Sequence, residues 1–135
     1  VTVNAVSTIW ETIAIGSEGP HFLNASVWVS TPLSASELKN LVISSIEKDL
    51  GRIRSNDKCA PRTIDIDILV FDEQIIDDAL WQRDYLAIPT AELRPDLFEP
   101  VSGESLNQIA QTMKSKSTAL PRTDLDIHIN KQPHA

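Results

Sequence analysis

From Phe22 to Thr31 apolar and polar positions alternate. Leu23, Ala25, Val27 and Val29 fall on one face, and Asn24, Ser26, Trp28 and Ser30 on the other, the period of a strand with one face in a core. Residues 1–10 are rich in β-branched side chains (Val1, Val3, Val6, Thr8, Ile9) and read as another strand closed by Trp10. The glycines and proline of Thr12–Pro20 mark a loop between them. The period then changes. Leu38, Leu41, Val42, Ile46 and Leu50 recur at helical spacing. Ser34 with Glu37 forms a capping-box signature, Leu33 and Leu38 a hydrophobic staple, and Gly51 a C-terminal stop. A basic loop, Arg52–Pro61, leads to a strand over Thr63–Phe71, with Ile64, Ile66, Ile68 and Val70 on one face and Asp65 and Asp67 on the other. After an acidic turn at Asp72–Asp78, a short strand is expected at Asp84–Ile88 and a proline-punctuated loop at Leu93–Val101. Leu106, Ile109, Ala110 and Met113 predict an amphipathic helix beginning near Gly103. Leu125, Ile127 and Ile129 alternate as a last strand. Strand, strand, helix and strand in close succession predict an α+β sandwich, helices on a largely antiparallel sheet.

At 135 residues, with 41% hydrophobic and 23% charged positions, the chain is expected to form one domain over 1–135, with residues 114–135 as a tail carrying the extra strand. No apolar run approaches the ~20 residues that span a bilayer. The opening Val1-Thr2-Val3-Asn4 lacks the basic and apolar regions of a signal peptide. It also lacks an initiating Met, so a fragment or processed product is expected. The single cysteine, Cys59, excludes an internal disulfide and fits a reducing cytoplasm. A net charge of −7 argues against a general nucleic-acid binder.

Against that acidic background, Arg52, Arg54, Lys58 and Arg62 place four of twelve bases within eleven residues. Asp65 and Asp67 follow at once. On a strand, residues i and i+2 share a face ~7 Å apart, so both carboxylates reach one hard cation or two neighbouring ones. A divalent cation flanked by guanidinium groups is what a polyphosphate requires: the metal bridges phosphate oxygens while arginines bind bidentately and neutralise charge developing during transfer. The plainer alternative is the solvated face of an edge strand, with arginines balancing acids.

These residues resemble a known signature. Gly51-Arg-Ile-Arg54, a seven-residue spacer, and Arg62-Thr-Ile-Asp-Ile-Asp-Ile-Leu69 are similar to the motif of the 6-hydroxymethyl-7,8-dihydropterin pyrophosphokinase family of folate biosynthesis. The similarity takes in Trp10-Glu-Thr12, Phe22-Leu-Asn-Ala25, Ile46-Glu47, Arg83-Asp-Tyr-Leu86 and Pro89-Thr-Ala-Glu-Leu-Arg-Pro-Asp96, running from Val3 to Ala110. It implies a ferredoxin-like fold and transfer of pyrophosphate from ATP to a reduced pterin, giving AMP. Asp65 and Asp67 would hold two Mg²⁺ ions on ATP. Arg52 and Arg62 would act on the transferring group, and Glu47, Arg54, Arg62, Ile68 and Arg83 would bind ATP. Thr12, Phe22, Asn24 and Tyr85 would bind the pterin. Taken singly, Asn24 reads as an exposed polar residue, Phe22 and Tyr85 as core, and Glu47 as a surface charge.

Three features depart from the family pattern. The opening strand, Gly-Ser-Asn turn and helix have no counterpart, and in the family that strand lies inside the sheet. The Leu-x-x-Pro-His-Pro element, whose histidine contacts ATP, is replaced near Ile76-Asp77-Asp78, and His21, His128 and His134 do not align with it. Cys59-Ala60 stands where an aromatic or basic residue often precedes Pro-Arg in a closing loop. The rival readings are a relative that only binds nucleotide or pterin, and an interaction scaffold. The tail Asp124-Leu-Asp-Ile-His-Ile129 is expected to complete the sheet, within a monomer or swapped in a dimer.

Overall fold

A computed structural model describes residues 1–12, 22–52 and 64–125. The protein is α+β, with antiparallel strands and helices packed on them. It forms two compact units, one of Val1–Ser30 with Asp78–Ala135 and one of Thr31–Asp77.

The first unit is built on a long antiparallel ribbon that breaks in the middle. Strand β1 (Thr2–Val6) pairs with β4 (Val27–Ser30), and β2 (Trp10–Thr12) with β3 (Phe22–Asn24). The two strands expected over 1–10 and 22–31 are therefore four. Between the Val6↔Val27 and Trp10↔Asn24 pairs, Ser7, Thr8 and Ile9 stand opposite only Ala25 and Ser26, and an extra residue on one side bends a ribbon. Ser7 and Ser26 bridge the break: each backbone N–H donates across it, Ser7 to the Ser26 carbonyl at 2.9 Å and Ser26 to Ser7 Oγ at 2.8 Å.

Which face of the ribbon is covered differs from the expectation. Helix α3 (Asp84–Leu93) packs against β2, β3 and β4, and the side chains that meet it are polar. Ser26 Oγ lies 2.7 Å from Thr90 Oγ1, and Trp10 Nε1–H donates to Glu92 Oε2 at 2.5 Å. Leu23 and Val27, expected in the core, are 53% and 49% exposed. Over residues 23–27 the faces are reversed, Leu23, Ala25 and Val27 exposed and Asn24 and Ser26 half-buried, because the helix offers hydrogen-bonding partners to the polar side. Further along β4, Val29 is half-buried and Trp28 and Ser30 are exposed, as expected.

Residues 84–88, expected as a strand, are the first half of α3, which continues through Pro89 to Leu93. The proline removes the donor for the Tyr85 carbonyl, yet Ala87 to Ala91 are all buried, and tertiary burial overrides propensity. A 3₁₀ turn, Asp78–Trp81, precedes it. Helix α4 (Leu106–Lys114) lies where the pattern placed it. Ser105 caps it by accepting from Gln108 N–H. Leu106 and Ala110 are buried together with Leu80, Ile88 and Leu97 as the core.

The tail contributes a strand earlier than expected. Leu120–Pro121 pairs with Trp10–Glu11, Thr123–Asp124 is a turn, and residues 126–130 of the proposed strand lie outside the described residues. Arg122 follows the strand, binding Asp124 through Nε at 2.9 Å and Nη2 at 2.7 Å, and Glu11 through Nη1 at 2.5 Å. The Arg122 guanidinium lowers the Asp124 carboxyl from 3.8 to about 2. A depressed carboxyl stabilises the fold above its unfolded pKa and ceases to as pH falls through the folded value. The wild-type melting temperature should therefore carry an acid-side loss between about pH 4 and 2 that Asp124→Asn lacks, readable by a pH series of thermal melts.

The second unit opens with the expected capping box. Ser34 Oγ accepts from Glu37 N–H at 3.1 Å, and Glu37 Oε1 accepts from Ser34 N–H at 3.0 Å. One α-turn, α1 (Ala35–Glu37), passes into a π-helical stretch, Leu38–Ile43, and then into α2 (Ser44–Arg52). The wider π turn replaces i+4 neighbours with i+5 neighbours. Leu38 and Ile43 are therefore the buried pair, whereas Leu41, expected in the apolar stripe, is 62% exposed. The helix also runs through Gly51 instead of ending before it.

The strand expected over 63–71 is reduced to β5 (Val70–Phe71), which pairs with β6 (Gln74–Ile75). Ile64–Leu69 form no strand. The two-residue turn between β5 and β6 holds Asp72 at φ 50° and Glu73 at φ 65°, the pair of positive values that a type I′ hairpin demands. Glu73→Val should lower stability by about 1 kcal/mol, because a β-branched residue resists this conformation. Denaturant melts of the variant check it.

Candidate active site

The carboxylate pair lies in the second unit. Asp65 and Asp67 are exposed, on the segment leading into β5, and Ile68 between them and the hairpin is half-buried. Among the described residues the segment has no strand partner, so the shared face expected from strand alternation is not imposed by a ladder. The segment is tied down in two places. Ile66 N–H donates to Glu47 Oε2 on α2 at 2.9 Å. The Leu69 carbonyl accepts from Ile76 N–H at 2.8 Å and Asp77 N–H at 3.3 Å.

Carboxylates gather here. Partial burial raises the Asp67 carboxyl above the ordinary range, and Asp65, Asp77 and Glu47 push it the same way, against Lys39, which lowers it. Asp77 was not among the expected site residues. Hairpin register reveals it: a two-residue loop that sets Val70 against Ile75 folds residue 77 back beside residue 68.

Among the described residues no three His, Cys, Asp or Glu side chains form a metal cage. The donor set still fits a hard cation: Mg²⁺ is usually held by one or two carboxylates together with substrate phosphates. Arg52 ends α2, while Arg54, Lys58, Cys59 and Arg62 lie outside the described residues.

The residues expected at the pterin lie in the first unit. The pairs Trp10↔Asn24 and Thr12↔Phe22 put all four side chains on one face of β2–β3, since alternate strand positions share a face. Thr12 is buried, and Asn24 Nδ2–H donates to its Oγ1 at 3.4 Å. Phe22 and Tyr85 are 54% and 41% exposed, so neither is the core residue that composition alone would suggest. Tyr85 stands in the first turn of α3, and the exposed Arg83 is the residue that precedes it as N-cap.

Fold and site together define an α+β protein carrying a D-x-D carboxylate pair on an exposed segment and a polar–aromatic face on a separate antiparallel ribbon. The sequence profile of 7,8-dihydro-6-hydroxymethylpterin-pyrophosphokinase matches residues 1–95, and the chain belongs to that family. Proteins named 2-amino-4-hydroxy-6-hydroxymethyldihydropteridine pyrophosphokinase are similar to it. The one from Bacillus subtilis is 35% identical over 87% of this chain and 75% of its own length. The Aquifex aeolicus protein is 32% identical over 78% and 71%. The Synechocystis protein is 29% identical over 82% of this chain, which spans 60% of that relative. Among the described residues no helix is long and apolar enough to cross a membrane.

Proposed function

We propose that this protein transfers pyrophosphate from ATP to 6-hydroxymethyl-7,8-dihydropterin, a step of folate biosynthesis. The observation that carries the reading is the exposed Asp65–Asp67 pair, crowded by Glu47 and Asp77 and preceded by the arginine cluster, in a chain of this family. Crowded carboxylates repel until a cation joins them.

In this reading Asp65 and Asp67 hold the Mg²⁺ ions, which when bound neutralise charge on the ATP phosphates. Arg52 and Arg62 stabilise the transferring group, with Arg54, Arg83 and Ile68 on the nucleotide side. Phe22 or Tyr85 stacks on the pterin, Asn24 hydrogen-bonds its edge and Thr12 shapes its mouth. The pterin hydroxymethyl oxygen attacks the β-phosphorus, the bond from that phosphorus to the bridging oxygen of the α-phosphate breaks, AMP leaves, and the hydroxyl proton is released. Positioning and charge stabilisation account for the rate, and no protein nucleophile is needed.

Calorimetric titration with a non-hydrolysable ATP analogue and Mg²⁺, followed by the pterin, tests this reading. Binding of both, with the nucleotide dependent on Mg²⁺, is expected. Equal nucleotide affinity with Mg²⁺ and with excess chelator would contradict it.

A further inference from the structure

We infer that Asp84 and Ser117 form a latch that positions Tyr85 against the pterin, neither of the two touching substrate itself. The inference rests on the reading above that Tyr85 and the face of Thr12, Phe22 and Asn24 hold the pterin. Three observations support it. First, Pro89 stands four residues after Tyr85 in α3 and offers the Tyr85 carbonyl no N–H, so the turn that presents Tyr85 is held less firmly by its own helix. The N-cap, Arg83, makes no side-chain capping bond either. Second, Asp84 ties that turn down from outside. Its Oδ1 accepts from Tyr85 N–H at 2.8 Å, and its Oδ2 accepts from Ser117 Oγ–H at 2.5 Å. Asp84 and Ser117 are half-buried, where a hydrogen bond to a charged group is stronger than in water. Third, Ser117 is itself anchored. Its Oγ accepts from Ala119 N–H at 3.0 Å, and the next two residues, Leu120–Pro121, pair with Trp10–Glu11. The latch therefore joins Tyr85 to β2, which carries Thr12 and pairs with the strand of Phe22 and Asn24.

Arg83 is fastened separately, by its own N–H to the Ala79 carbonyl at 3.0 Å. Loosening the latch should therefore be felt by the pterin and not by the nucleotide.

The test is calorimetric titration of the full chain, with the ATP analogue and Mg²⁺ first and 6-hydroxymethyl-7,8-dihydropterin second. Ser117→Ala should weaken pterin binding about tenfold, the scale of one hydrogen bond to a charged group. Nucleotide affinity should stay within about twofold, as for a site not coupled to the latch. Ser117→Thr keeps the hydroxyl and should restore the pterin affinity. Because the latch acts through Tyr85, Ser117→Ala should have no further effect in a Tyr85→Ala background, the non-additivity of residues in one network. Additive losses in that double variant would overturn the inference. So would parent-like pterin affinity in Ser117→Ala, or equal loss of nucleotide and pterin affinity. Asp84→Ala is the second variant and should reproduce the pterin loss; if both it and Ser117→Ala fail to fold, the pair holds the fold and not the pterin site, and the inference is wrong. A parent that binds no pterin refutes the proposed function, and the latch falls with it. A parent that binds the pterin, with Tyr85→Ala unaffected, refutes the latch and leaves the proposed function standing.

Discussion

On the proposed function, Asp67→Asn should abolish pyrophosphoryl transfer while leaving the protein folded and no less stable. The carboxylate is exposed, so the substitution leaves no cavity. Its charged form is disfavoured by partial burial first, and then by Asp65, Asp77 and Glu47, so neutralising it relieves repulsion. At an exposed site that relief is screened, and the gain should stay below about 1 kcal/mol. Activity should respond in the opposite direction. Loss of one preorganised charge-stabilising contact costs about 10²–10³-fold in kcat, and a missing metal ligand should cost at least that. Asp65→Asn should behave alike. Thermal melts beside steady-state kinetics check the pair of effects, and a variant that loses activity because it unfolds would not count as support.

Glu92→Ala should destabilise the first unit by about 2–3 kcal/mol, the scale of losing hydrogen bonds to a charged group. Its carboxylate takes three donors from the break in the ribbon. Thr8 N–H and Oγ1–H reach Oε1 at 3.0 and 2.8 Å, and Trp10 Nε1–H reaches Oε2. Deleting it strips all three donors of their acceptor and releases the bend between β1 and β2 from α3. Glu92→Gln keeps one carbonyl oxygen and should lose about half as much. Urea unfolding of both variants reads the difference, and equal stability of Glu92→Ala and wild type would show that the bend holds by packing alone.

How legible this fold was in the sequence depended on how local the deciding interaction is. The Ser34 capping box and the α4 helix rest on side chains three or four residues apart, and both stand as expected. The π-helical stretch at Leu38–Ile43 leaves no such local mark, so the buried stripe was displaced. The inward face of the ribbon was decided by Thr90 and Glu92, over sixty residues downstream, and alternation cannot carry that information. Asp84–Ile88 read as a short strand, whereas a helix runs from Asp84 through Pro89 to Leu93 with Ala87 to Ala91 buried.

The candidate site was legible for a different reason. Asp65 and Asp67 were grouped by alternation on a strand that does not form there. Thr12, Phe22 and Asn24 were grouped by the family resemblance, and only the structure shows that they fall on paired strand positions. Glu47 was assigned to ATP by resemblance, and its bond to Ile66 N–H could not be read from spacing. Asp77 was within reach of the sequence, had the two-residue hairpin at Asp72-Glu73 been used to set the register.

The products formed from ATP, Mg²⁺ and 6-hydroxymethyl-7,8-dihydropterin test the central proposal most directly, and phosphorus NMR with mass spectrometry of the pterin identifies them. Pyrophosphoryl transfer predicts AMP and the pterin diphosphate in equal amounts, with neither ADP nor free phosphate. Formation of ADP with a pterin monophosphate, or no reaction when both substrates are shown to bind, would contradict it.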